Sequence, residues 1–396
     1  MLFPYNMKIR LLLASVLAVT LFACHHKQEA VAPQEETAPV DTLEVVTEDT
    51  IPQGDVQLQQ MANFLSGRPV AEDSHLYKFT QQAAWKNYAA RANDLWHTFQ
   101  TKKESYTAWA KTEIYPLSKN YNELFSPFSG SDFLYADIFF PNITTMYLFG
   151  LESVGSLPST DSLKKNLGSY LETLNAGIGD IMKHSFFITK HMKTELANVQ
   201  VDGVAPLLLI FLTQSGQEIL TMQYGSVDKE GHFFEVPYEQ LSRHRNKLIK
   251  ITYHQPNMPT VRTLYYTGGT NVANGSLKVN PEYIKFMDNM TDGCATFIKS
   301  ASYLMHEEDF SMIRDVVLAK SDFIMQDDSG VPYRFFPANE WKTQLYGGYS
   351  RPIALFSEYA ESDLADAYKS EEVKPLPFRI GYNRFSNERT HIRIKK

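Results

Sequence analysis

Asp327, Asp328 and Ser329 stand side by side, followed by Gly330 and then by Tyr333 and Arg334. Adjacent carboxylates can hold one proton acceptor beside one group kept protonated by its neighbour's charge, which is what general acid–base chemistry needs. A third acid, Asp132, closes the run Pro127-Phe128-Ser129-Gly130-Ser131-Asp132, where small polar groups crowd among aromatic residues as a pocket rim or a tight loop requires. The candidate catalytic residues are therefore Asp327, Asp328 and Asp132, and the candidate binding residues are Ser129, Gly130, Tyr333 and Arg334. Asp-Asp-Ser-Gly equally suits a hairpin turn, with side-chain bonding at its start and a glycine able to take positive φ at its end, so both readings stand.

Other chemistries lack their patterns. A calcium loop of the EF-hand kind would need alternating oxygen ligands and a glutamate at its twelfth position, which the stretch after Asp327 does not supply. His184 and His191 share a helical face but stand seven residues apart, roughly 10.5 Å along a helix axis, whereas a chelating pair sits at i and i+4. Ser162-x-x-Lys165 and Thr267-Gly268-Gly269-Thr270 lack the remaining parts of a penicillin-binding triad, and Ser129 and Ser131 lack the spacing of a nucleophile elbow. There is no phosphate loop, dinucleotide fingerprint, zinc motif or internal repeat, and no cofactor or metal is expected. Cys294 opens an apolar helical pattern, where a helix N-terminus would favour its thiolate; a buried thiol serving as a small hydrophobe fits as well.

The elements that must position these residues begin as helices. Trp85, Tyr88, Ala92, Leu95, Trp96 and Phe99 recur on one face of a 3.6-residue period, and Tyr106, Trp109 and Ala110 continue it, which reads as the core of a helix pair. Thr145 to Gly150 is strand-like, Leu163 to Leu174 and Ile181 to Leu196 mark two further helices separated at Gly177-Ile178-Gly179, and 206–213 is an apolar run that fits either a buried strand or a buried helix. Hairpins are expected from Glu218–Gly225 with His232–Val236, and from 247–254 with 261–267. The basic cluster Arg243 to Lys247 between them reads as a solvated loop. Helices follow at Phe297–Met305 and Phe310–Val317, then strands at Phe323–Gln326, Val331–Phe336 and Phe378–Tyr382, with a short helix over Ser362–Lys369. Helices first and mixed elements after them predict an α+β fold: a helical N-terminal lobe packed on a mixed α/β lobe with an antiparallel sheet. The expected divisions are 1–23, 24–55, a mainly helical 56–196 and an α+β 197–396, with 56–396 readable also as one compact domain.

The N-terminus sets location. Lys8 and Arg10 precede a twelve-residue apolar run from Leu11 to Phe22, followed by Ala23 and Cys24. That is a charged region, an apolar core too short to span a bilayer, and a cleavage site. Leu21-Phe22-Ala23-Cys24 resembles the lipobox of bacterial outer-membrane lipoproteins, although Phe22 replaces the small residue usual there. The resemblance implies lipidation at Cys24, anchoring to the membrane through several acyl chains, and location at the outer membrane, on its periplasmic face or at the cell surface. Asp41-Thr42-Leu43 and Asp49-Thr50-Ile51 resemble O-glycosylation acceptors, placing glycans on Thr42 and Thr50.

The formal net charge is −7; loss of Lys8 and Arg10 with a leader makes it −9, and residues 25–55 carry eight Asp or Glu against one Lys, so the body beyond is left at −2. An acidic stretch with almost no aromatic residue cannot bury enough apolar surface to offset its ordering entropy, and reads as a tether. A nearly neutral body lacks the basic stripe that nucleic-acid binding needs. The expectation from sequence is thus an envelope lipoprotein acting in binding or assembly, with an outer-membrane protein as partner. The other reading is a hydrolase of envelope or extracellular glycans or peptides. Convergence of Ser129, Asp132, Asp327, Asp328 and Arg334 would favour the second.

Overall fold

The computed structural model describes residues 52–184, 202–382 and 389–396. The leader, Cys24, Thr42 and Thr50 lie outside the described residues, as do His191 and the side chain of His184. Among the described residues, eleven strands form one sheet: β1 (Glu123–Ser126), β2 (Thr145–Phe149), β3 (Glu218–Val227), β4 (Phe233–Glu235), β5 (Lys247–His254), β6 (Arg262–Gly268), β7 (Cys294–Ile298), β8 (Ser321–Gln326), β9 (Trp341–Gly347), β10 (Val373–Lys374) and β11 (Arg389–Lys395). Their order is β10-β9-β11-β8-β7-β1-β2-β6-β5-β3-β4. The middle five, β8 to β6 in that order, are mutually parallel. The two expected hairpins extend one side as antiparallel strands, and β11 returns antiparallel between β8 and β9 on the other. The fold is α+β with a mixed sheet, its antiparallel parts at the flanks. Strand β2 is the strand-like run Thr145–Gly150, while β1 comes from a stretch with no strand signal of its own; both sit at the centre of the sheet, inside the segment that reads as mainly helical.

Both faces of the sheet are covered. One face receives α1 (Val56–Leu65), α2 (Ala83–Glu113), α3 (Phe133–Phe139), α4 (Thr160–His184) and α5 (Ala205–Gln214), whose apolar residues join Leu124, Met146, Phe297 and Phe323 in one core. The other receives α6 (Pro281–Asp288) and α7 (Ser311–Lys320), packed on Phe125, Phe149, Ile298 and Ile324. Successive strand residues point to opposite faces, so Leu124 and Phe125 serve different cores. A last helix, α8 (Ser362–Ser370), packs with Leu345 and Tyr349 in a smaller cluster.

Three details follow from this layering. The aromatic stripe from Trp85 to Trp109 is a single 31-residue helix, and all three tryptophans are buried in the core. The 206–213 run is helical: Pro206 occupies the first turn of α5, where a missing N–H costs nothing, and Leu207 to Leu212 are fully buried. The expected interruption at Gly177-Ile178-Gly179 does not occur, since α4 runs through it to His184; its non-helical residue is Asn166.

Cys294 is not at a helix N-terminus. It begins strand β7, which is buried throughout, and burial pushes its thiol up to about 11. Desolvation disfavours the thiolate, so the thiol packs as a small apolar group. In a Cys24→Ala protein, Cys294 is therefore expected to resist iodoacetamide at pH 7.5 and to react only when urea unfolds the chain. Labelling of the native protein at the rate of free cysteine would contradict this.

Candidate functional site

In sheets of parallel strands, ligands bind outside the carboxyl ends of the strands, where chain connections leave for opposite faces. Here that place lies between β1 and β7. After β1 the chain passes through Ser126–Asp132 into α3 on one face, and after β7 it passes through Lys299–Phe310 into α7 on the other. The carboxyl end of β8, with Asp327 and Asp328, is the next position along the edge.

The acids named from sequence meet at this edge, and all three are only 2% exposed. Asp132 caps α3, accepting from the Tyr135 N–H at 3.1 Å, and forms a buried ion pair with Lys299. The next residue, Ser300, donates its N–H to Asp327 Oδ2 at 2.9 Å. Asp327 Oδ1 accepts from both the N–H and the hydroxyl of Ser329, at 3.0 and 2.5 Å. Asp328 Oδ1 is bound to Arg389 Nε at 2.6 Å, and its Oδ2 accepts from the Tyr303 hydroxyl at 2.5 Å. Among the described residues Asp327 thus has no cation bonded to it, while Asp132 and Asp328 each do.

That difference appears in the proton affinities. Burial lifts Asp327 to about 6, and the charge of Asp328 adds to the effect. Burial also raises Asp132, with the Lys299 charge opposing it. His306, nearby, is pushed down to about 4 by burial, and is neutral at pH 7.

The loop after β7 is strained. Ser300, Ser302 and Tyr303 have φ of 53°, 54° and 55°, a left-handed conformation that costs non-glycine residues about 1 kcal/mol or more each. Its neighbours hold it there: Ala301 donates its N–H to Ser329 Oγ at 2.7 Å, and the Ser302 hydroxyl lies 3.1 Å from that of Tyr382. Gly381, at φ 62°, closes over the group. A Cβ there would sit 2.8 Å from Ser300 Oγ and 2.9 Å from Asp327 Oδ2, so only glycine fits. The hydroxyls of Ser131 and Ser300 are buried without a hydrogen-bond partner among the described residues. Unsatisfied buried polar groups cost about 1–3 kcal/mol, and a polar ligand at this edge would relieve that cost.

No family model, curated protein or solved structure matches the chain. The functional reading rests on this geometry.

The remaining sequence candidates are placed as follows. Ser129 ties the loop after β1 through its hydroxyl to the carbonyls of Ser126 and Gly130. Gly130, at φ 57°, lies against Gly150 at the end of β2. Tyr333 and Arg334 make other contacts: the Tyr333 hydroxyl donates to Glu371, its ring lies under the Arg393 guanidinium, and Arg334 is exposed beside Phe335. The strand expected at Val331–Phe336 is a turn and a short 3-10 helix over Tyr333–Phe335. The Gln326 side chain bonds both backbone groups of Val331, taking the place a partner strand would fill. Asp-Asp-Ser-Gly is therefore a turn, with Gly330 N–H bonded to the Asp327 carbonyl at 3.2 Å, but it ends a parallel strand instead of joining a hairpin. No motif in the sequence marks Lys299, Ser300, Tyr303, Tyr382 or Arg389. The only local sign is Ser300-Ala301-Ser302, small polar residues at the end of an apolar run.

Proposed function

We propose that the protein is an outer-membrane-anchored lipoprotein whose strand-end cluster hydrolyses envelope or extracellular glycans or peptides. The observation that carries this reading is that Asp132, Asp327 and Asp328 stand at the carboxyl ends of β1 and β8, linked through Lys299 and Ser300 at the end of β7 between them. Asp327, titrating near 6, is mostly a carboxylate at neutral pH yet basic enough to take a proton from an attacking water. The raised carboxyl of Asp132 is the other member of the acid–base pair, and Arg389 fixes Asp328 and through it the Tyr303 loop. The test is incubation of the full-length protein in detergent with isolated envelope glycan and with peptide libraries, followed by mass spectrometry of released fragments. Fragments that gain one water and are missing with Asp327→Asn support the proposal. Identical products from both proteins, or none, oppose it.

Binding or assembly is the second reading. Met258 and Val261 project into solvent on either side of Pro259 in the β5–β6 connection, an apolar tip suited to a protein partner. Affinity purification from solubilised envelopes, with Cys24→Ala as control, separates the two: a stoichiometric membrane partner without turnover supports assembly.

A further inference from the structure

Beside the acids lies a group of aromatic rings that the acid–base chemistry does not use. Tyr303, fully buried, is its centre: Tyr359 stacks on it at 5.2 Å and 9°, and Phe356 lies against it at 5.0 Å. Phe356 also touches Tyr382 at 5.3 Å. Phe356 and Tyr359 are themselves half-exposed, so each turns one side to the core of the cluster and presents the rest to solvent. Hydrogen bonds tie the cluster to the acids, since the Tyr303 hydroxyl binds Asp328 and that of Tyr382 meets Ser302. Ser302 is exposed, which makes it the point where the buried cluster reaches solvent.

We infer that Phe356 and Tyr359 form a shelf for a pyranose ring, and that the substrate of the site is a glycan. This rests on the hydrolytic reading for the role of the acids, while the shelf carries the choice of substrate. The two rings are neighbours tilted by 51° at 6.3 Å, both backed by Tyr303. Rings so placed make a continuous surface instead of facing each other across a gap, so they suit the flat apolar side of a sugar better than a caged cation. Carboxylates rim the shelf: Glu307 accepts from the Tyr359 hydroxyl, and Glu358 adjoins it. Both are exposed and able to accept from sugar hydroxyls. An extended peptide would instead use an open strand edge. At this end β8, β11 and β9 are each paired on both sides.

The test is a glycan array probed with the full-length protein in detergent, with calorimetric titration of the best oligosaccharide and of tetra-alanine. Binding to an oligosaccharide, weakened at least tenfold in Phe356→Ala/Tyr359→Ala and unchanged in the exposed-pair control Asp366→Ala, is the expected result. The double variant's circular dichroism must match the parent, and Tyr359→Phe, which keeps the ring, should retain most of the affinity. An array without signal, or oligosaccharide affinity indifferent to the shelf, overturns the inference. Shelf-dependent binding with no cleavage leaves the inference standing and removes the hydrolytic reading. Asp327-dependent peptide cleavage indifferent to the shelf does the reverse.

Discussion

Replacing Asp328 by alanine is expected to lower the unfolding free energy by about 3–5 kcal/mol, the usual cost of removing one partner from a buried ion pair. Arg389, 1% exposed, would lose the carboxylate bonded to it at 2.6 Å, and the Tyr303 hydroxyl would lose its acceptor. The damage should spread, because Arg389 opens the strand that bridges β8 and β9, and Tyr303 holds the left-handed loop in place. Urea titration followed by far-ultraviolet circular dichroism measures the effect. Asp366→Ala is the control, since its pair with Lys369 is exposed on both sides and such pairs contribute roughly 0–1 kcal/mol. Equal midpoints for the two variants would show that Arg389 and Asp328 do not form the strut described above.

The second large effect concerns rate. Asp327→Asn should slow hydrolysis by about 10²–10⁴, the range for loss of a general base. It should do so without loss of stability at pH 7.5. The sign follows from the raised pKa of Asp327. A carboxyl that holds its proton more tightly when folded contributes stability that is fully present below about 3.9, its unfolded value, and lost as pH rises through about 6. At pH 7.5 the buried charge is a burden that asparagine lacks, and the asparagine oxygen can still accept from Ser329. The variant should therefore melt at the same temperature as the parent or above it. A variant that is inactive and also unstable at that pH would identify Asp327 as a structural group.

Glu361, pushed up to about 8 by its burial beside the Tyr333 N–H, acts in the same direction over a wider range. Its contribution, present below about 4.5, is lost by pH 8, so the body as a whole should soften toward alkaline pH.

Parts of this arrangement could be read directly from the chain. The α2 stripe and the β3–β4 and β5–β6 hairpins carry the periods of a helix and of strands with turns between them, and they stand where the residues place them. The acids Asp132, Asp327 and Asp328 were legible as residue types. Their closeness was not, because parallel neighbours in a sheet come from distant segments: Asp132, Lys299 and Asp328 are joined only once β7 lies between β1 and β8. Of the central strands, β1 and β7 escaped because both of their faces are buried, which removes the alternation of a half-exposed strand. β7 shows how this misleads. Phe297, Ala301, Leu304 and Met305 match a helical spacing, yet Phe297 faces one core and Ile298 the other, and the later three lie in the loop beyond the strand. β11 was hidden by its charges. Arg389 and Arg393 are almost completely buried, the first on Asp328 and the second over the rings of Tyr333 and Phe336, and no composition rule marks such a strand as interior. Phe378–Tyr382, which reads as the last strand, is not one in the fold, and its Gly381 closes the site.

That Asp327 works as a base at the carboxyl end of β8 is tested most directly by the pH dependence of turnover. With the substrate found by fragment release held well below saturation, the rate of the parent protein should rise through a midpoint near pH 6 as Asp327 ionises, and that limb should be missing from the residual activity of Asp327→Asn. A parent profile flat between pH 5 and 7, or a limb that survives in the variant, would contradict the claim.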